Sequence, residues 1–185
     1  YRKVGSAINK WGAIEGFQRT RGVLRFIGEV VHHVWNGNDN SLMIMPGSIC
    51  LNESDVQDEL ITYIGPNWIS IIAEDIDGNE STAYQIDKND TRLGKHSISR
   101  RVARSIFMAT APLKDSQNLG VDDKDILRSS IQPGENLIIF RDALNQLSTK
   151  AKYIHNDNLK YWFYGKASIN SLAIDIGNRH TEDYL

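Results

Sequence analysis

Apolar residues recur at helical spacing along most of this chain, and the longest such stretch organises the rest. From about Phe17 to Trp35, the residues Thr20, Val23, Leu24, Ile27, Val30, Val31 and Val34 share one side of a helix laid out at roughly 100° per residue, so that side is expected to bury. Arg21 and Arg25 fall one turn apart on the opposite side, with Gly22 between them. Glycine inside a helix costs about 1 kcal/mol against alanine, so its presence there predicts a close approach to the backbone. Upstream, Ile8, Trp11 and Ile14 predict a short helix packed on the long one. Downstream, Asn36 to Asn40 is dense in turn formers, and the brief apolar run Leu42 to Met45, closed by Pro46-Gly47, predicts a short strand or extended segment.

Ser54 and Gln57 have the spacing of a capping box, which predicts a helix from about Asp55 to Ile64 with Val56, Leu60 and Ile64 inward and Gly65-Pro66 as its stop. Trp68, Ile69, Ile71, Ile72 and Ile76 fit a helical face slightly better than alternation, although the β-branched isoleucines leave a strand open. Asp87 to Gly94 reads as a polar loop. Ser97 is placed to cap a helix running to about Ala111, with Ile98, Val102, Ile106 and Ala109 on one side and Arg100, Arg101 and Arg104 on the other.

After a linker from Lys114 to Gly120, a helix over about Asp122 to Ile131 meets a Gln132-Pro133-Gly134-Glu135 turn. A longer helix follows, with Leu137, Phe140, Ala143, Leu144 and Leu147 inward. Two aromatic strands then flank Asn156 to Leu159, and Ser168 can cap a last helix through Leu172 and Ile176. Alternation along the second strand places Tyr161 and Phe163 inward and Trp162 and Tyr164 outward. Helix, helix, hairpin is the order of a helix-turn-helix with a wing. The expected fold class is thus mainly α with a small β component, α+β, ending in a winged helix-turn-helix.

Charge and composition narrow the chemistry. With 21 Lys and Arg against 23 Asp and Glu, the net charge is −2, so no global field draws the chain to nucleic acid or membrane and any basic surface is local. The chain opens at Tyr1 rather than Met and runs directly into helix-like sequence, which reads as a piece of a longer protein. No apolar run reaches the roughly 20 residues of a membrane span, and a cytoplasmic setting without a membrane partner is expected. Cys50 stands alone, with no second cysteine at zinc-ligand spacing, and His32-His33 has no glutamate at metalloprotease spacing; no metal site is expected. Asp75-Ile76-Asp77-Gly78-Asn79-Glu80 invites a calcium loop, but its glycine directly follows the second acidic residue, unlike the EF-hand, so a solvated acidic turn is expected. A nuclease reading of Glu74, Asp75 and Asp77 lacks a following lysine motif. No Gly-x-x-x-x-Gly-Lys-Ser/Thr phosphate loop occurs either, Gly94-Lys95-His96-Ser97 lacking both the leading glycine and the adjoining hydroxyl. The expectation is a region with no catalytic residues and no cofactor of its own.

The arginines remain as candidates. Arg19, Arg21 and Arg25 on the first helix, and Arg100, Arg101 and Arg104 on the later one, are either solvated faces or guanidinium groups presented to an anion, which Arg contacts through its planar fork. In the C-terminal part, Arg141, Lys150, Lys152 and Lys160 are the DNA-contact candidates, against an alternative in which that part packs on protein.

Phe17 to Arg25, Met45-Pro46-Gly47-Ser48, Arg100-Arg101-Val102-Ala103-Arg104-Ser105-Ile106-Phe107 and Gln132-Pro133-Gly134-Glu135 together, in collinear order over most of the chain, resemble the domain of unknown function four-ninety-nine family. These are large predicted ATP-binding proteins of prokaryotic defence and restriction-modification gene clusters. The resemblance implies a parent AAA-like ATPase whose nucleotide core precedes Tyr1, with ATP and magnesium bound by that parent rather than by this region. It implies a helical lid-like segment over 1–50, a helical family-specific insert over 51–113 and a winged-helix domain over 114–185. Arg21 and Arg25, with Arg19, then become candidates for sensing the nucleotide's γ-phosphate. The implied partners are the N-terminal ATPase core of the same chain, DNA, and methyltransferase or nuclease subunits. Three roles compete: nucleotide sensing or partner docking, DNA binding, and a pure protein scaffold.

Overall fold

A computed structural model describes residues 20–37, 42–111, 120–169 and 171–173. The short helix expected around Ile8 to Ile14, most of the Lys114 to Gly120 linker, and the end of the last helix at Ile176 lie outside these residues. The elements are α1 (Thr20–Asn36), a 3-10 turn (Pro46–Ser48), α2 (Ser54–Ile64), α3 (Trp68–Ile71) continuing as a π-helical turn (Ile72–Ile76), α4 (Thr82–Asn89), α5 (Thr91–Gly94), α6 (Ile98–Thr110), β1 (Val121–Asp122), α7 (Asp123–Ser130), α8 (Leu137–Lys150), β2 (Ile154–Asp157) and β3 (Lys160–Phe163). The three strands form one antiparallel sheet in the order β1-β3-β2, with Val121 opposite Tyr161 and Ile154 opposite Phe163. The class is therefore mainly helical with a small antiparallel sheet, α+β.

Among the described residues one apolar core runs from Phe26 to Phe163 and draws on 20–37, 42–111 and 120–169. Its axis is α6, which is buried around almost its whole circumference: Val102, Ala103, Ile106 and Phe107 are fully enclosed, and Arg101, Arg104 and Ser105 are buried too. The arginine side was expected to be solvated or presented to an anion; Arg101 and Arg104 instead point into the protein and Arg100 is half-buried, because carboxylates from other elements await them there. Phe107 carries aromatic contacts edge-on to Trp68 at 5.4 Å and to Phe163 at 6.3 Å, tying α3, α6 and β3 together.

Acidic side chains set several local structures. Asp75 and Asp77 were expected in a solvated turn, yet both are buried. Asp75 accepts the backbone N–H groups of Lys152 (3.2 Å) and Tyr153 (2.6 Å) and the Thr82 hydroxyl (2.7 Å), so it fixes the chain entering β2. Asp77 accepts the N–H groups of Leu51 (2.6 Å) and Asn52 (3.1 Å). The Gly78 between this pair and α4 is required, since a Cβ there would collide with the Ala73 carbonyl. The helix α6 was expected to be capped by Ser97; that residue lies in the left-handed region at φ 51° and makes no cap bond. Asp87 of α4 does the capping from a distance, taking the N–H groups of Ser99 (2.8 Å) and Arg100 (3.3 Å) at the positive end of the helix.

The same exchange explains the missed helices. Asp87 to Gly94 is helical over most of its length, not loop: Ser81 caps α4 through the Tyr84 N–H and Asp90 caps α5 through the Arg92 N–H. Their few apolar residues, Ala83, Ile86 and Leu93, all face inward, which left too weak a period to read. At α2, Ser54 is the first helical residue rather than the cap, Glu53 occupies the cap position without a side-chain bond, and Gln57 donates to the Leu51 carbonyl at 2.9 Å. Trp68 to Ile76 is helical throughout. No strand forms at Leu42 to Met45: Leu42 and Met43 make a bend held by Gln132, whose amide bonds both the N–H and the carbonyl of Met43, and extended backbone appears at Met45. In the Gln132-Pro133-Gly134-Glu135 turn, Gly134 at φ 88° supplies the positive φ that a proline-led turn needs at its third position. The hairpin follows its alternation, with Tyr161 and Phe163 buried and Trp162 and Tyr164 half-buried, while Leu137, expected inside α8, is exposed.

Candidate functional site

The seam between α1 and α2 holds the first candidates. The inward side of α1 is Gly22, Phe26 and Val30, a strip rotated from the expected one; Val23 and Val34 flank it. Something does approach the Gly22 backbone: a Cβ there would sit 2.7 Å from the Tyr63 hydroxyl. Tyr63 donates to Glu59 Oε1 at 2.9 Å, and burial together with that bond holds its phenol above the ordinary value. Glu59 Oε2 in turn pairs with Arg25 at 3.2 Å. Arg25 thus reaches across to α2 rather than to Glu29, which stands four residues further along its own helix. The groove beside it, about 390 Å³, is lined by Glu29, Asp55, Asp58, Glu59 and Thr62 around Arg25. A phosphate there would meet four carboxylates and one guanidinium, so the groove favours cations over nucleotide. Arg21 is exposed on the far side of α1, and Arg19 lies outside the described residues.

Because the buried strip is rotated, a second strip is left outside. Leu24 is 65% exposed, Ile27 39%, Val31 42% and Trp35 83%. Their spacing puts all four on one side of the helix, in the i, i+3, i+7 pattern that usually covers a core. Leu24, Ile27 and Val31 were expected on the buried side with Val23, Val30 and Val34; the structure leaves them outside, and Trp35, at the end of the helix, extends their strip.

Beneath α1 lies a polar cluster that was not foreseen. Arg104 of α6 makes a two-point ion pair with Asp77, Nε to Oδ2 at 3.0 Å and Nη2 to Oδ1 at 2.6 Å, and Nη2 also reaches Cys50 Sγ at 3.4 Å. Burial disfavours the guanidinium charge, but the Asp77 carboxylate, joined by Cys50 and Asp87, leaves the Arg104 pKa raised. Burial pushes the Cys50 thiol up, against the opposing pull of Arg104. Next to Cys50 stand His33, from the last turn of α1, and Glu53, with His33 Nδ1 3.6 Å from Glu53 Oε2. The one sequence signal was the three-residue step from Cys50 to Glu53, the same step as in a Cys-x-x-Cys ligand pair, with the third donor 17 residues upstream.

The remaining basic candidates are dispersed. Arg101 forks onto Glu135 (2.7 and 2.8 Å), donates to the Ser130 carbonyl and lies 5.0 Å over the Phe140 ring. Arg100 is half-buried between Asp87 (3.5 Å) and the Tyr84 ring (5.4 Å). Lys152 bonds Glu74 at 3.0 Å and covers Tyr153. Lys150 bonds Gln146 on its own helix, Lys160 is half-buried in β3, and Arg141 is exposed beside Arg92 in a depression of about 500 Å³ at the start of α8. These residues converge on no common surface; Arg141 and Arg21 are the two whose guanidinium groups face outward without a described ion pair, on different parts of the molecule.

Among the described residues, no helix is long and apolar enough to cross a membrane. No curated protein and no solved structure matches the chain. A family model described as the DUF499 second domain matches residues 10–163, a span that contains α1, the Cys50 cluster, α6 and the whole sheet. The chain therefore belongs to the DUF499 family, as its second domain.

Proposed function

We propose that this chain is a non-catalytic coupling region of a larger AAA-like ATPase of prokaryotic defence systems, docking on the first domain of the same polypeptide through the outer face of α1. The observation that carries this reading is the strip Leu24, Ile27, Val31 and Trp35, with Arg21 on the same exposed side of the helix. A second domain implies a first, and an apolar strip on a helix otherwise anchored to its own core suits a contact within one long chain. Arg21 then reaches the nucleotide that the first domain binds with magnesium, and α1 transmits its state through the Tyr63 and Glu59 seam to the rest of the domain.

The test is ATP turnover by the full-length parent. Arg21→Ala leaves thermal stability within about 0.5 kcal/mol, as expected for an exposed residue, and lowers turnover at least about tenfold, roughly 1.4 kcal/mol in the barrier. Trp35→Asp weakens the coupling without unfolding the domain. Lost stability with unchanged turnover in Arg21→Ala would make Arg21 a structural residue and end the sensor reading. The isolated chain is expected to show no turnover above a buffer blank.

A second reading is favoured by the C-terminal topology. Two helices, α7 and α8, separate β1 from β2, and the sheet order β1-β3-β2 with α6 packed behind it suits a winged helix. In that arrangement α8 offers Arg141 and the hairpin offers Lys160 to DNA. The outer start of α8 also exposes Leu137 and Ile138, which fits a protein partner such as a methyltransferase or nuclease subunit better than a phosphate backbone. Electrophoretic binding measured against salt separates them: phosphate contacts give a steep fall of affinity with salt, and a flat response removes the DNA reading.

A further inference from the structure

His33, Cys50 and Glu53 arrive at one point from three parts of the fold. His33 is on the last turn of α1, Cys50 lies in the loop between the 3-10 turn and α2, and Glu53 occupies the cap position of α2. One donor atom from each lies within 4.8 Å of the other two. We propose that these three side chains form a binding site for a divalent transition metal, zinc being the ion that suits them.

The donor set selects the ion. An imidazole nitrogen, a sulfur and a carboxylate oxygen together are a zinc combination, whereas magnesium and calcium require shells made largely of oxygen. With bonds of about 2.0 to 2.3 Å, tetrahedral zinc holds its donors about 3.3 to 3.8 Å apart. His33 Nδ1 and a Glu53 oxygen already stand 3.6 Å apart. The other separations, all within 4.8 Å, exceed that range by no more than about 1 Å, a distance that side-chain rotation covers at His33 and Glu53, whose side chains are 34% and 46% exposed. Three protein ligands at a partly open rim leave a fourth position to water, the arrangement of a reactive rather than a closed site.

The surroundings hold the sulfur in place. Arg104 Nη2 donates to Cys50 Sγ at 3.4 Å, and Arg104 is itself locked by Asp77. The same Asp77 binds the N–H groups of Leu51 and Asn52, the two residues after Cys50, so the loop and the donor to sulfur are fixed by one buried carboxylate. Outer-shell bonds of this kind orient ligands and tune affinity. None of this depends on the ATPase reading, because the three donors and their supports all lie within this chain.

The experiment titrates the whole chain, residues 1–185, first with zinc by calorimetry and then with cobalt(II), whose thiolate charge-transfer absorption reports a metal–sulfur bond. One equivalent is expected to bind at micromolar concentration or below, with the charge-transfer band present and the melting temperature raised by mass action. Cys50→Ser abolishes the band, and His33→Ala and Glu53→Gln each weaken binding at least tenfold, while the metal-free melting curves of the latter two stay close to that of the parent. Absence of the band, or binding unchanged in His33→Ala and Glu53→Gln, overturns the proposal. Should Cys50→Ser fail to fold, those two surface variants decide the matter alone.

Discussion

Asp77 and Arg104 meet in the interior through two parallel contacts, 2.6 and 3.0 Å, with both side chains almost wholly withdrawn from water. The pair joins the end of the π-helical turn to the central helix α6, and Asp77 extends the connection to the backbone of Leu51 and Asn52. Removing one partner of such a pair leaves an uncompensated buried charge, which costs about 3–5 kcal/mol, whereas removing both is often close to neutral. Arg104→Met is therefore expected to cost that much in urea unfolding, Asp77→Asn somewhat less because the amide oxygen still accepts the two N–H groups, and the double variant less than the sum. Additivity of the two single changes within about 0.5 kcal/mol would show that the residues do not act as a unit.

Asp87 offers a comparison between a sequence-local cap and a tertiary one. It is buried and accepts two N–H groups at the start of α6, whereas Ser97 makes no cap bond. Asp87→Ala orphans those donors and is expected to cost about 1–3 kcal/mol. Ser97→Ala should cost less than about 0.5 kcal/mol. Equilibrium unfolding of both variants checks the order, and the reverse ranking would return the cap to Ser97.

Asn158 and Leu159 form the two-residue tip between β2 and β3, with φ of 46° and 63°. Asparagine tolerates the left-handed region, but leucine there is strained by about 1–2 kcal/mol, and its side chain, 66% exposed, recovers little by packing. Leu159→Gly is expected to raise stability by about 0.5–1 kcal/mol after the extra flexibility of glycine in the unfolded chain is subtracted. A lower melting temperature would mean that Leu159 contributes contacts that its exposure conceals.

What the sequence revealed and what it hid follow one division. Periodicity located α1, α2, α6, α7, α8 and the hairpin, because each has enough apolar residues to fix a phase. It misjudged the phase of α1, since Leu24, Ile27 and Val31 are as apolar as the residues that do bury and the pattern alone cannot say which surface a neighbour will cover. It left Arg101 and Arg104 on a solvated or anion-facing side, and put Asp75 and Asp77 in a solvated turn and Asp87 in a polar loop, because a lone charge is usually at the surface. Their partners lie 34, 27, 77, 27 and 12 residues away, and no local rule connects them. In the His33, Cys50 and Glu53 cluster the step from Cys50 to Glu53 is local, but His33 lies 17 residues upstream and no local rule brings it in.

The buried carboxylates also divide in their response to pH. Glu135 is partly buried, which pushes its pKa up, but the Arg101 guanidinium and the Gln132 N–H outweigh burial and hold it below its ordinary 4.5. A carboxyl lowered on folding stabilises the protein above its unfolded value, and that contribution is lost as the pH falls through the folded value. Asp75 and Asp87 go the other way: burial raises both above 3.8 despite the N–H bonds they accept. Folding then favours their protonated forms, so their contribution is complete below pH 3.8 and declines as the pH rises through their raised values. Stability measured by urea unfolding from acid to neutral pH should separate the two. The stability lost on Glu135→Gln is expected to be largest at neutral pH and to shrink once the pH drops below about 4.5. The stability lost on Asp75→Asn or Asp87→Asn should be largest in acid and smaller at neutral pH, where the wild-type carboxylate carries its desolvated charge. If all three differences fall together on acidification, Asp75 and Asp87 are held ionised by their N–H donors, and hydrogen bonding rather than burial governs these sites.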